Sequence, residues 1–385
     1  MVTTQILSVD PIHPDAGLLA IAAHALVQGQ LVAFPTETVY GLGANALDPS
    51  AVDRIFAAKQ RPFTDPLIVH LASVEQLDEV ARTPSTLAYS LAAFCWPGPL
   101  TLVLPRAARL APNVAAGRPT VAVRVPAHPV ALGLLRACQL PIAAPSANLF
   151  SRPSPTTAQH VLKDLAGRIE FVLDGGPTPI GLESTVIDLT QTPPRLLRHG
   201  GADLAPLLQL LPELQIPTTP LIAAAAESAP APGTQLRHYA PHTPLLLVSG
   251  HATAAQNLLD AAVETLSARG LDVGLLLPDE ELTRYPHWAD RIVALGPSDA
   301  PEQVGRTLFT RLRQLDELAA DVVLARPLTL ATEGLGPAVQ DRLFRAAEGH
   351  TVDAETPAAL STLLALVEQL LPGRTLTCQS GERTV

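Results

Sequence analysis

Short apolar runs rich in β-branched residues alternate along the chain with stretches whose apolar residues recur at helical spacing, and this alternation predicts a mixed α/β core. In the first half the pattern predicts strands over 31–34, 67–71, 100–104, 120–125, 142–144, 170–173, 185–189 and 195–197. Helices are predicted over 15–27, 50–59, 86–94, 129–137 and 156–165. From 206 to 244 prolines and alanines replace the charges, the composition of a semi-rigid extended linker. A second α/β pattern follows, with strands over 245–248, 273–277, 292–295 and 322–325 and helices over 252–267, 301–318 and 337–347. The organisation is thus a domain over 1–203, a Pro-rich linker over 204–243, a smaller α/β domain over 244–371 and a tail over 372–385. No internal repeat relates the two halves.

Composition narrows the functional classes. At 385 residues and 47% apolar, the chain can bury more than one core. Its net charge of -10 provides no whole-chain field for nucleic acid or an anionic membrane, so any anion must be held by a local cationic pocket. Cys95, Cys138 and Cys378 are odd in number, widely spaced and without a metal-ligand pattern, which suits a reducing cytoplasm and reads as buried small hydrophobes. Residues 1–10 have neither a basic region nor a continuous apolar run, so no signal peptide is expected. The apolar stretch 204–226 is cut by Pro206, Pro212, Pro217 and Pro220 and cannot form a spanning helix. The expectation is a soluble, cytoplasmic protein that does not engage membranes.

The densest chemistry lies between residues 35 and 67. In the helix 50–59 the residues Val52, Ile55 and Phe56 define a buried stripe, and Lys59, seven positions after Val52, projects from the same face. A last-turn lysine can simply offset the helix dipole and snorkel to water. Arg61-Pro62 follows at once, however, and two cations leaving one helix end toward a Gly-rich strand exit look like an anion clamp. That exit is Thr36, Thr38, Tyr40 and Gly41 to Gly43, whose glycines are expected to let backbone amides approach a ligand. Gly41, Gly43 and Ala46, with Asp65 further on, fit a relaxed dinucleotide fingerprint, but Asp48-Pro49-Ser50 places the helix start several residues too late. Neither Lys59 nor Lys163, the two lysines of the chain, follows a glycine as in a P-loop.

Other groups could converge on the same cleft. In the strand 120–125, Val121, Val123 and Val125 face one way and Ala122 and Arg124 the other, so Arg124 needs an anionic partner, either a structural carboxylate or a ligand. A-P-S-A-N at 144–148 ends an apolar strand with a hydroxyl and an amide and is followed by Ser151 and Ser154, at a place where open sheets bind ligands or where such residues make turns. Ser184-Thr185 opens a strand toward Asp188, and Arg198 follows another. His70, His128, His160 and His199 lack paired metal-ligand spacing, and no G-x-S-x-G elbow occurs. His70 is either a satisfied core histidine or a pocket hydrogen-bonder. The chemistry these residues suit is binding and electrostatics rather than covalent catalysis.

Taken together, P-T-E-T-V-Y-G-L-G from 35, K-x-R-P-x-x-x-P-L-I-V-H from 59, W-P-G-P-L-T from 96, A-P-S-A-N from 144, S-T-V-I-D from 184 and R-H-Y-A-P from 237 resemble the two-domain threonylcarbamoyl-AMP synthases. The resemblance implies a YrdC-like twisted mixed open sheet with helices, plus a smaller Rossmann-like α/β C-terminal domain, the linker between them acting as an active-site lid. It implies a nucleotidyltransferase that makes threonylcarbamoyl-adenylate and pyrophosphate from ATP, L-threonine and bicarbonate. A tRNA-modifying threonylcarbamoyl transferase complex would then transfer the carbamoyl group to adenosine 37, with no tight direct tRNA binding by this chain. By the same resemblance Lys59 and Arg61 are catalytic and hold the triphosphate, with Asp65, Thr120, Ser146, Asn148, Ser154, Arg198 and Tyr239 completing the ATP site. Thr38, His70, Arg124, Ala144 and Ser184 would surround threonine, and Mg²⁺ is expected on the ATP phosphates, with no protein metal site. Two positions depart from the family pattern: Thr234 and Gln235 follow Gly233 where Met and a basic residue are expected, and Asp65 stands in place of a neutral amide. The competing readings are a double-stranded RNA-binding or ribosome-maturation module on the same fold, a nicotinamide-dependent enzyme, and a carbamoyl-adenylate enzyme of hydrogenase maturation. The acidic balance, the late helix start and the absence of zinc-finger and acylphosphatase-like patterns, respectively, argue against them.

Overall fold

The computed structural model describes residues 2–218, 222, 235–328 and 333–372. It divides into two compact units, Met1–Leu236 and Arg237–Val385. The first unit runs β1 (Gln5–Ser8), α1 (Ala16–Val27), β2 (Val32–Pro35), β3 (Tyr40–Asn45), α2 (Pro49–Lys59), β4 (Ile68–His70), α3 (Leu77–Val80), α4 (Thr86–Cys95), β5 (Leu100–Pro105), β6 (Thr120–Arg124), α5 (Pro129–Cys138), β7 (Ile142–Ala143), α6 (Ala158–Leu165), β8 (Phe171–Asp174), β9 (Thr185–Asp188), β10 (Arg195–Arg198) and α7 (Leu204–Leu210). Its strands form one ten-stranded sheet in the order β1-β8-β2-β3-β7-β4-β6-β5-β9-β10. Parallel and antiparallel pairs alternate irregularly across it, so the sheet is mixed.

Strand alternation gives this sheet two unlike faces. One face contributes Leu42, Ala44, Val69, Leu102, Leu104, Val121 and Val123 to the large core, where the stripes of α2, α4 and α6 meet them. The other face is covered by α1 and α5 only over β2, β7 and β8, through Val32, Phe34, Ile142 and Leu173. Over β4, β6, β5, β9 and β10 that same face carries a separate small cluster, Ile68, Ala122, Val103, Val186 and Leu197. His70 and Arg124, described below, share the face with this cluster.

Two strands of the first unit lie outside the predicted set. β1 is a sheet edge with mostly exposed residues, so it shows no apolar alternation. β3 contains Gly41 and Gly43, which mask strand propensity. They serve packing: a Cβ on Gly43 would stand 2.9 Å from Phe34 Cε1 and 3.0 Å from Ile142 Cγ2, and one on Gly41 would meet Ala144 Cβ at 3.3 Å. The glycines therefore admit the Phe34 ring and Ala144, a packing role that the sequence reading does not assign them.

The stretch read as linker from 204 opens instead with α7, capped by Asp203, whose carboxylate accepts from Ala205 N at 3.0 Å. Pro206 falls in the first turn, where its missing N–H is not needed. Leu207, Leu211 and Leu214 bury in the first core, so this unit continues well past 203. The remainder of the linker, including Thr234, is largely outside the described residues, as are Cys378 and the tail beyond 372.

The second unit contains β11 (Leu245–Ser249), α8 (Ala252–Ala268), β12 (Val273–Pro278), β13 (Ile292–Gly296), α9 (Pro301–Leu315), β14 (Val322–Ala325), α10 (Gly336–Ala346), β15 (Thr351–Asp353) and α11 (Ala359–Leu370). Its five strands are all parallel in the order β13-β12-β14-β11-β15. Burial on both faces explains runs such as Leu245–Ser249 and Val322–Ala325, which are nearly continuous in apolar residues. β15 and α11 extend the predicted pattern. β15 buries only Val352, too little for a sequence signal, whereas α11 buries Ala359, Leu363 and Val367 at a helical spacing that was legible. Among the described residues no helix is long and apolar enough to cross a membrane.

Candidate active site

The helix α2 delivers the first cation. Asp48 caps its start by accepting from Ser50 N at 2.9 Å, and the helix ends where Gln60 takes a left-handed φ of 55°. Arg61 N then donates to Phe56 O at 3.0 Å and Gln60 N to Ala57 O at 3.3 Å, the paired bonds of a Schellman turn that sends the chain sharply away from the helix. Lys59, on the stripe with Ile55 and Phe56, is 1% exposed and does not snorkel. Its Nζ donates to Ser146 O and Asn148 O, both at 2.6 Å. Burial, and next the neighbouring Arg61, hold the Lys59 amine well below its ordinary pKa.

Arg61 is buried beside it. Its Nε donates to Asp65 O at 3.2 Å and its guanidinium to Pro66 O at 2.8 Å, while the same terminal nitrogen stands 2.9 Å from Asp65 Oδ2. The contact to the carboxylate is an ion pair out of hydrogen-bonding alignment, for neither Asp65 oxygen accepts a hydrogen bond. Burial raises the Asp65 pKa, and Arg61, Lys59 and Arg198 pull it back.

A second group of polar side chains gathers on the face with Ile68 and Ala122. Arg124, at the end of β6, donates from Nη1 to Thr38 Oγ1 at 2.9 Å and from Nε to Gly98 O at 3.1 Å, and its Nη2 pairs with Glu37 Oε1 at 2.5 Å. Thr38 Oγ1 also lies 2.8 Å from Thr36 Oγ1. His70 is in register with Arg124 on the adjacent parallel strand, and its ring meets Phe34 edge-on at 6.3 Å. Burial, reinforced by the Arg124 charge, lowers the His70 pKa to about 3, so the ring is neutral at physiological pH. Ala144 N donates to Ile68 O at 2.9 Å, which fixes the A-P-S-A-N run against β4.

Arg198 joins the two groups. It donates from Nε to Ser184 O at 3.0 Å and from Nη2 to Ser184 Oγ at 3.1 Å, while its charge is felt at Asp65. Ser184 Oγ is also 2.7 Å from Thr101 Oγ1. Ser154 Oγ donates to Glu183 Oε1 at 2.5 Å. Asn148 Nδ2 donates to Leu149 O at 2.6 Å and Arg152 O at 2.9 Å, leaving Oδ1 buried without a hydrogen bond.

The structure therefore brings Lys59, Arg61, Asp65, Ser146, Asn148 and Arg198 into one neighbourhood and Thr38, His70, Arg124, Ala144 and Ser184 into the adjoining one. Thr120 begins β6, four residues from Arg124 and so roughly 13 Å along the strand, where it lines a small recess with Pro66, Ala115 and Arg118. Tyr239 belongs to the second unit; its ring stacks on Phe309 at 5.2 Å with the Arg342 guanidinium 5.4 Å over it. Glu37, Thr101 and Glu183 are site residues that the sequence reading does not single out. Glu37 and Glu183 had a signal: each is a carboxylate one position before a residue that was singled out, within an otherwise uncharged run. Thr101 had none beyond its place in W-P-G-P-L-T.

Residues 24–200 match the Sua5_yciO_yrdC family, described as telomere recombination, and residues 204–348 match the family described as threonylcarbamoyl-AMP synthase, C-terminal domain. The threonylcarbamoyl-AMP synthase of Pyrococcus abyssi is 45% identical over 334 residues, covering 87% of this chain and 95% of that one. The threonylcarbamoyl-AMP synthase of Bacillus subtilis is 40% identical over 344 residues, covering 89% and 96%. The crystal structure of P. abyssi Sua5 complexed with L-threonine matches with a TM-score of 0.83 and 42% identity, covering 91% of this chain and 99% of that one. With both halves matched and relatives of this identity spanning most of its length, the chain belongs to the two-domain threonylcarbamoyl-AMP synthase family.

Proposed function

We propose that this chain is a nucleotidyltransferase that forms L-threonylcarbamoyl-adenylate and pyrophosphate from L-threonine, bicarbonate and ATP. The observation that carries the reading is the joining, through Arg198 and Ser184, of a cationic group at the end of α2 to a hydroxyl, arginine and neutral-histidine group on the sheet face that carries Ile68 and Ala122. One part suits a triphosphate and the other an amino acid, and family membership supports placing both substrates there.

In this reading Arg124 meets the threonine carboxylate, and Thr38, Ser184 and neutral His70 surround its amine and hydroxyl. The amine, once deprotonated, attacks carbon dioxide derived from bicarbonate, forming a carbamate and releasing a proton. A carbamate oxygen then attacks the α-phosphorus of ATP, and the bond to the bridging oxygen breaks as pyrophosphate leaves. An ammonium has three donors, and Lys59 commits two of them to the carbonyls of Ser146 and Asn148. Fixed by those bonds, its third donor and the Arg61 and Arg198 guanidinia would neutralise charge as it spreads over the phosphoryl oxygens. Triphosphate charge also favours the protonated Lys59, opposing the effect of burial.

Magnesium enters this scheme with the nucleotide, as Mg·ATP. Among the described residues no three His, Cys, Asp or Glu side chains are grouped to hold an ion, and the donor set near Lys59 suits phosphate oxygens rather than a cation. The product would pass to the tRNA-modifying threonylcarbamoyl transferase complex in the cytoplasm. The net charge of -10 supports weak or no direct tRNA binding by this chain. Pyrophosphate release by the purified protein tests the proposal. Release is expected only with ATP, L-threonine and bicarbonate all present, and release that persists without threonine would contradict it.

A further inference from the structure

A carboxylate removed from water is stabilised by hydrogen bonds or by nearby cations. Asp65 is 0% exposed, accepts no hydrogen bond at either oxygen, and depends on charge alone. The charged groups acting on it are Arg61, just past α2, Lys59, the last residue of α2, and Arg198 of β10; Asp164 acts on Lys59. Arg61 holds the backbone of the same loop through Asp65 O and Pro66 O, so its guanidinium is kept against the Asp65 carboxylate. These three cations are the groups assigned above to the phosphates of ATP.

We infer that Asp65 is an internal counter-anion of the phosphate clamp, and that Mg·ATP binding transfers one proton from solvent onto its carboxylate. The inference rests on the ATP-site reading of Lys59, Arg61 and Arg198. With the clamp empty, the Asp65 carboxylate offsets part of the charge of the three potential cations that act on it. When phosphates approach those cations, Asp65 retains the cost of burial and gains anionic neighbours, and both favour the neutral acid. The proton adds to one carboxylate oxygen, and no covalent bond of the ligand changes. Nucleotide affinity then falls as pH rises, because each bound ATP must be accompanied by a proton. Asp65→Asn has the shape of the protonated acid without its titration, so it relieves this requirement.

The test is calorimetric titration of Mg·ATP into the full chain and into Asp65→Asn, at pH 6 and pH 8, in two buffers of different ionisation heat. Expected is a wild-type dissociation constant that weakens from pH 6 to pH 8, and a variant that binds about tenfold tighter than wild type at pH 8. Proton uptake should approach one more proton per ATP in wild type than in the variant. Equal affinities and equal proton uptake would overturn the inference while leaving the ATP site standing. A wild type that binds no Mg·ATP at either pH would overturn the site reading and the inference together. If Asp65→Asn does not fold, Asp65→Ala takes its place, because Lys59 can also gain a proton and only the difference from wild type reports Asp65: equal proton uptake in wild type and variant overturns the proposal.

Discussion

Each sheet buries an arginine at or just past the end of a strand: Arg124 closes β6 in the first unit, and Arg326 follows β14 in the second. Arg326 is 1% exposed and donates from Nη1 to Val248 O at 2.8 Å, with Glu281 Oε1 3.3 Å from its Nε. It thereby ties the end of β14 to the end of its neighbour β11, a job internal to the sheet. Arg124 is 3% exposed, but it reaches toward the β2–β3 connection, where Thr38 and Glu37 meet it, and it lies in register with a buried histidine. Burial of an arginine is thus common to a structural tie and a candidate ligand group. What separates them is whether side chains from several elements converge on the same place.

The strongest break of this comparison is at Lys59, whose buried amine is held by two backbone carbonyls. Lys59→Ala should lower the rate of pyrophosphate release by about 10³-fold, in the range seen when a preorganised charge-stabilising donor is removed. It also leaves the carbonyls of Ser146 and Asn148 without a donor, so a stability loss of about 1–3 kcal/mol is expected in denaturant unfolding. A variant with wild-type turnover would remove the clamp from the account.

The paired arginines give the next effect. Arg326→Met should destabilise the chain by about 3–5 kcal/mol, because it leaves Glu281 facing a lost partner, while the Michaelis constant for threonine stays unchanged. Arg124→Lys keeps the charge opposite Glu37 but loses the planar fork, so the threonine Michaelis constant should rise by about tenfold or more with a smaller stability change. The opposite assignment of effects, measured by steady-state kinetics and guanidinium unfolding, would exchange their roles.

The smallest effect concerns His70, which sharpens the contrast because its ring stays neutral beside the Arg124 charge. Its folded pKa of about 3 lies below the unfolded value of 6.5. Between these values the unfolded chain binds the extra proton, so the contribution is complete above pH 6.5 and is lost as pH falls toward 3. Unfolding free energy should drop by about 2 kcal/mol from pH 6.5 to pH 5, and His70→Gln should flatten this part of the profile. An unchanged slope in the variant would show that other groups govern the acid loss.

The sequence made the helix α2 and its basic end legible because three signals coincided: a Pro-flanked start, an apolar stripe and Lys59 on that stripe. It left Arg124 undecided between an ion pair and a ligand contact, and the structure shows an ion pair to Glu37 in the very place a ligand group is expected. The packing role of the glycines of P-T-E-T-V-Y-G-L-G was not legible, because composition does not show that Phe34 lies against Gly43. α7 was hidden by Pro206, a helix breaker elsewhere but harmless in a first turn. The sequence marked Asp65 as a departure from the family pattern, but not that its carboxylate is buried against Arg61 with no hydrogen bond to accept.

The most direct test of the central claim is to incubate the purified chain with ATP, L-threonine and carbon-13 bicarbonate and to analyse the nucleotide product by mass spectrometry. The account predicts an adenylate that carries both the threonyl moiety and one carbon-13, formed in step with pyrophosphate. AMP or ADP as the sole nucleotide products, with no carbon-13 retained, would contradict it.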